Sequence, residues 1–109
     1  MASQPVELNS VGATAVLGSG HKQNLTSVHA INTTAAAAFV QLFDAATAAA
    51  VTVGTTIPRW VVSSTASSVS IDTGFPGDGL TFYNGIVVAS TTTPTGNTGA
   101  TQHVRLAVE

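Results

Sequence analysis

Apolar residues return at every second position along much of this chain, in short runs parted by Gly, Pro, Ser and Asn. The clearest run is the last. Val104, Leu106 and Val108 fall on one side of an extended chain and His103, Arg105 and Ala107 on the other, so one face is core and the other is wet. Val69 and Ile71 alternate with Ser68, Ser70 and Asp72 in the same way. Turn-forming clusters recur about every ten residues, the rhythm of an all-β sandwich or barrel. The pattern predicts strands near residues 6–9, 13–17, 25–32, 38–44, 51–54, 59–63, 67–72, 85–91 and 102–108. That is enough for two sheets, and the expected fold is an antiparallel β-sandwich, with the jelly roll as one form of it.

Residues 35–50 carry a competing signal. Ala is the best helix former, and Phe39, Leu42 and Phe43 sit at i, i+3 and i+4. The same stretch reads as a buried strand, Phe39-Val40-Gln41-Leu42-Phe43, followed by a turn at Asp44-Ala45-Ala46-Thr47, and the surrounding β rhythm favours the strand. Two segments read as loops. Residues 73–79 pack three Gly and a Pro around Phe75, and residues 91–100 hold Pro94, Gly96, Asn97 and Gly99. Near the start, Gly18-Ser19-Gly20-His21-Lys22 reads as a hinge. It divides the chain into an extended N-terminal arm, residues 1–22, and a β-sandwich domain, residues 23–109. Such an arm can add a strand to a neighbour's sheet edge through main-chain hydrogen bonds.

Composition sharpens this reading towards assembly. Charged residues make up 7% of the 109 positions, against roughly 25% in an ordinary soluble protein, and a surface so poor in charge suits being covered. A single small domain leaves a large share of its surface exposed and gains from association. With no Cys in the chain, neither a disulfide nor a thiolate metal site adds stability. The three cations Lys22, Arg59 and Arg105 are scattered through a chain of net charge −2, too few for the phosphate contacts that dominate nucleic-acid binding. No basic-then-apolar leader opens the chain, and no run of about 18 apolar residues occurs, so neither secretion nor a membrane span is expected. The sequons at Asn24 and Asn32 then read as products of an Asn- and Thr-rich composition.

Chemistry is sparse. His21, His29 and His103 match no ligand spacing, although oligomerisation could gather copies of one of them on a symmetry axis. Asp72 and Asp78 flank the Gly-rich bend, where a Ca²⁺ site or a simple Asx turn would each fit. A glycosidase pair would need a cleft around them, and no G-x-S-x-G elbow is present for a serine hydrolase. No cofactor and no catalytic residue is expected. Trp60, Phe75, Phe82 and Tyr83 are aromatics that a core, a subunit interface or a stacked sugar would each use. Trp60 beside Arg59 is the best interface anchor, both being residue types enriched at binding hot spots. The candidate interface set is Val6, Leu8, Val16 and Leu17 of the arm with Arg59, Trp60, Phe75 and Tyr83 of the body.

From Leu25 onward the order of segments resembles that of small β-sandwich virion structural proteins of tailed bacteriophages. The residues that carry the resemblance are Leu25-Thr26-Ser27-Val28-His29-Ala30-Ile31-Asn32, Ala38-Phe39-Val40-Gln41-Leu42-Phe43-Asp44, Val53-Gly54-Thr55-Thr56-Ile57-Pro58 and Gly85-Ile86-Val87-Val88-Ala89. The resemblance implies a capsid decoration (cement), head-fibre or tail-associated module, oligomeric and without catalytic activity; a trimer is the first expectation because small sandwiches pack well around a three-fold axis. Its partners would be the major capsid protein or other virion proteins, and its place the head surface of a particle assembled in the host cytoplasm. The extension through Lys22 departs from that pattern. A glycan- or receptor-binding module of a tail or fibre is the alternative, using the aromatic residues and the 91–100 loop.

Overall fold

The computed structural model describes residues 4–64, 70–75, 77 and 79–109, with side chains for all of these except 4 and 70–73. The described strands are β1 (Gln4–Val11), β2 (Val16–Ser19), β3 (Gln23–Asn32), β4 (Ala38–Asp44), β5 (Trp60–Ser64), β6 (Ser70–Gly74), β7 (Leu80–Phe82), β8 (Ile86–Thr91) and β9 (Gln102–Val108). They form two antiparallel sheets packed face to face, so the protein is all-β and sandwich-like. The first sheet runs β1-β9-β3-β6, with β7 continuing β6 along the same edge of β3, and the second runs β2-β8-β4-β5. Among the described residues no helix is long and apolar enough to cross a membrane.

Period-two burial builds the core. Leu25, Val28 and Ala30 of β3, Val104, Leu106 and Val108 of β9, Val40 and Leu42 of β4, Ile86 and Val88 of β8, Val62 and Phe82 meet between the sheets. At the C-terminus the alternation expected for 102–108 holds: the even positions are buried, while Arg105 is exposed and His103 and Ala107 are half-buried. A register shift between Leu25 and Ser27 breaks the alternation in β3, which is how Leu25 and Val28 can both face inward. At that point the edge of β3 changes partner. β7 pairs with Gln23 to Leu25 and β6 with Ser27 to Ile31, and the Thr26 carbonyl between them accepts the Phe75 N–H at 3.0 Å.

The core ends in polar groups. Gln102 of the first sheet accepts from Ser64 Oγ at 2.6 Å and donates to Ser90 Oγ at 2.8 Å, while Ser90 donates to the Ala100 carbonyl. All three side chains are buried, and their mutual bonds tie the two sheets together where apolar packing stops.

A second apolar cluster lies on the outer face of the second sheet. Phe43, Val87 and Ala89 point away from the first sheet and are covered by Val51, Ala45, Ala48 and Val53 of the 45–59 connection, together with Ala15. Gln41 on the same face donates through Nε2 to Gly96 O at 3.1 Å and Thr91 Oγ1 at 2.7 Å, which holds the β8–β9 loop against the sheet. The two coverings meet where Gly54, at φ +94°, would place a Cβ 2.9 Å from Asn97 Cβ. Only Gly fits both the turn and the contact.

Several expectations need correcting. Residues 51–54 are not a strand. A 3-10 turn at Ala48–Ala50 and a turn at 53–55 reverse the chain so that Val51 caps the outer cluster. The helix considered for 35–50 gives way to β4, because pairing with β5 and β8 uses its main chain on both sides. β7 was not foreseen, and Thr73 and Gly74, expected in a loop, end β6. Of the glycines in the expected hinge, Gly18 lies within β2, closely backed by Leu106 Cδ1 and Ile86 O. Residues expected to form a separate arm supply β1, paired with β9, and β2, paired with β8. Val11 is buried in the core, brought there by a register shift after Leu8 at which Ser10 takes φ 59°. The expected strand 67–72 is described from Ser70 onward, and its alternation at Val69 and Ile71 lies outside the described side chains.

Candidate functional site

At one end of the sandwich, β4 finishes, β5 begins and β7 turns into β8. These three chain ends bring Asp44, Arg59, Trp60, Phe82, Tyr83 and Asn84 together. The turn is built on Asp44, whose carboxylate accepts the backbone N–H of Tyr83 at 3.1 Å and of Asn84 at 2.7 Å. Burial pushes this carboxyl's pKa up, but the backbone donors of Asn84, Tyr83 and Gly85 and the positive charge of Arg59 outweigh it and hold the group below its ordinary value. Gly85 lets the chain enter β8 from there. At φ +151° a Cβ would run into the Ser19 carbonyl and lie 2.6 Å from that of Ala45.

Arg59 is fixed from two sides. Its backbone N–H reaches Leu42 O at 2.7 Å, continuing the β4–β5 ladder, and its Nε donates to Thr81 O at 2.7 Å. The guanidinium carbon then lies 5.8 Å from the Phe82 ring centroid and 5.9 Å from that of Tyr83. Lys22, arriving from the β2–β3 turn, brings Nζ to 5.7 Å from the Tyr83 centroid. Phe82 is buried beneath, whereas Tyr83 is 63% exposed. Beside them Trp60, 45% exposed, meets Phe75 edge to face at 5.5 Å. This pair joins the two sheets at their open side, since Trp60 begins β5 and Phe75 follows β6 and packs on the core.

The eight candidate interface residues thus fall into separate places. Arg59 and Tyr83 share the cation-aromatic cluster, and Trp60 and Phe75 pack together beside it. Val6 and Leu8 are half-buried against the core, while Val16 is half-buried and Leu17 exposed on β2. Lys22, Asp44 and Asn84 were not foreseen as members of the site. The 38 positions between Asp44 and Tyr83, closed only by the return of β7, hide their proximity from any local pattern.

The histidines are not brought together. His29 lies opposite Arg105 and His103 opposite Ile31 on the outer side of the first sheet, and His21 is exposed in the β2–β3 turn. Asp72 stands at the register position opposite His29, away from the bend, and Asp78 lies outside the described residues. Among the described residues no group of three or more His, Asp or Glu is placed to hold a metal. Comparison with protein-family models, curated proteins and solved structures finds no match to this chain.

Proposed function

We propose that this chain is a virion structural protein of jelly-roll type that coats or cements a phage head, without catalytic activity, through repeated copies of itself on the shell. The observation that carries the reading is the winding. The chain changes sheet at every connection except β4–β5 and β6–β7, giving β1-β9-β3-β6 opposite β2-β8-β4-β5. With β6 and β7 taken as one broken strand, that order supports reading the sandwich as the eight-strand double-sheet jelly roll used by viral capsid and lectin domains. Fold alone does not choose between those uses. The surface favours assembly: 7% of residues are charged, and Leu17, Ile57, Trp60 and Tyr83 stand exposed. On a lattice a modest contact, of about 800 Å² per partner, is multiplied by repetition.

Cryo-electron microscopy of particles made with and without this chain tests the proposal. Density for the sandwich on the head, and heads that burst more readily on heating when it is missing, are the expected result. Density confined to a fibre tip would transfer the chain to receptor binding, and its absence from particles would refute both.

A further inference from the structure

Two of the chain's three Lys and Arg side chains converge on a single exposed ring. Lys22 Nζ and Arg59 Cζ each lie within 6 Å of the Tyr83 centroid. The third cation, Arg105, is spent on Glu7 at 2.9 Å. In a chain of net charge −2, this concentration of positive charge at an aromatic surface has no counterpart elsewhere among the described residues.

The cluster is built before any ligand arrives. Arg59 is oriented by its Nε bond to Thr81 O, so its two Nη groups are presented as a fork suited to a planar oxyanion. Among the described residues, neither those Nη groups nor Lys22 Nζ has a carboxylate in ion-pair contact. Asp44 is the acid that faces Arg59, but its oxygens are engaged with the N–H groups of Tyr83 and Asn84, so it shapes the turn and only partly offsets the two cations. Asn84, exposed next to Tyr83, adds an amide that both donates and accepts.

The geometry points to a site for an acidic saccharide, a uronic acid unit or short oligomer of them, with its carboxylate drawn to the Lys22 and Arg59 cations and its sugar ring beside Tyr83 and Asn84. A sugar acid is favoured over an acidic protein surface because the exposed Tyr83 ring is flanked by the polar Asn84 and Thr81, which can hydrogen-bond sugar hydroxyls. This inference does not rest on the head-coating proposal, since a coat protein and a fibre module could each carry such a site.

The test is an amide-resolved NMR titration of the ¹⁵N-labelled full chain with a short oligogalacturonate, its carboxyl-reduced neutral counterpart and, separately, polyglutamate. The acidic oligomer is expected to shift the amides around Arg59, Tyr83 and Asn84, and the reduced oligomer to bind weaker by roughly tenfold or more. Tyr83→Ala and Lys22→Gln, both at exposed positions, should each weaken acidic binding by roughly tenfold while distant amides keep their native shifts. Arg59→Gln should do the same, and if it disturbs the fold the other two variants decide. Equal binding of acidic and neutral oligomers, shifts that map elsewhere, no binding, or polyglutamate binding in place of the sugar acid would each overturn the assignment. None of these outcomes bears on whether the chain coats a head, which particle imaging reads independently.

Discussion

At the end of β4 the Asp44 carboxylate collects the main-chain donors of Tyr83 and Asn84, much as a capping side chain collects the free N–H groups of a helix start. Its folded-state pKa lies below the ordinary carboxyl value, so the native state holds the ionised form more tightly than the unfolded chain does. The resulting stability is fully present above the unfolded carboxyl pKa, about 3.9, and is lost as pH falls through the lower folded value. Asp44→Asn is therefore expected to cost about 1 kcal/mol at neutral pH, the low end for a charge-assisted bond because the site is partly exposed. That difference should shrink towards zero in acid. Urea melts of both proteins across that range measure it, and a gap that stays constant with pH would assign the loss to shape rather than charge.

Among the elements, β1 and β2 depart furthest from their sequence pattern. Gly12, Gly18 and Gly20 suggest a loose segment, yet Gly18 is a small residue in a tight place beneath Leu106 and Ile86, and β1 pairs with β9 from Gln4 to Val11. Deleting residues 1–22 strips one edge strand from each sheet and uncovers the inner side chains of β8 and β9, which Val11 helps to bury. The truncated chain is expected to be unfolded by circular dichroism and to show no cooperative melt. A native-like melt would restore those residues to the status of an arm. β3, β4, β8 and β9 were legible because they alternate or form short apolar runs of strand length, and each is paired on both sides. β7 was not, since Leu80-Thr81-Phe82 is too short for a period and exists only because the β3 edge needs a partner beyond Thr26. Residues 51–54 misled for the opposite reason: Val51-Thr52-Val53 alternates, but its apolar side chains cover the back of another sheet. The Lys22, Arg59 and Tyr83 cluster joins three distant segments, and so had no local signature.

The whole molecule has two unlike outer faces. Across the first sheet, Glu7, Arg105 and His29 occupy one cross-strand row, with the backbone of Asp72 next in line, and Glu7 and Arg105 pair there. Over the second sheet, the covering segments 45–58 and 92–101 hold no charged residue. A second copy brought against the charged face must desolvate ions that an exposed pair barely repays, whereas the uncharged covering of Ala, Thr, Gly and Pro carries no such cost. Self-association is therefore expected through the covering, and to persist at high salt because few ionic contacts sustain it. Sedimentation velocity at low and high salt should find an oligomer in both. Substituting Lys for the exposed Ala49 and Thr95 together should shift it towards monomer without lowering the melting temperature, while Asn9→Lys on the opposite face should leave it intact. An oligomer that dissolves in salt would place the contact on the charged face, and a strict monomer under all conditions would count against a lattice built from contacts between copies.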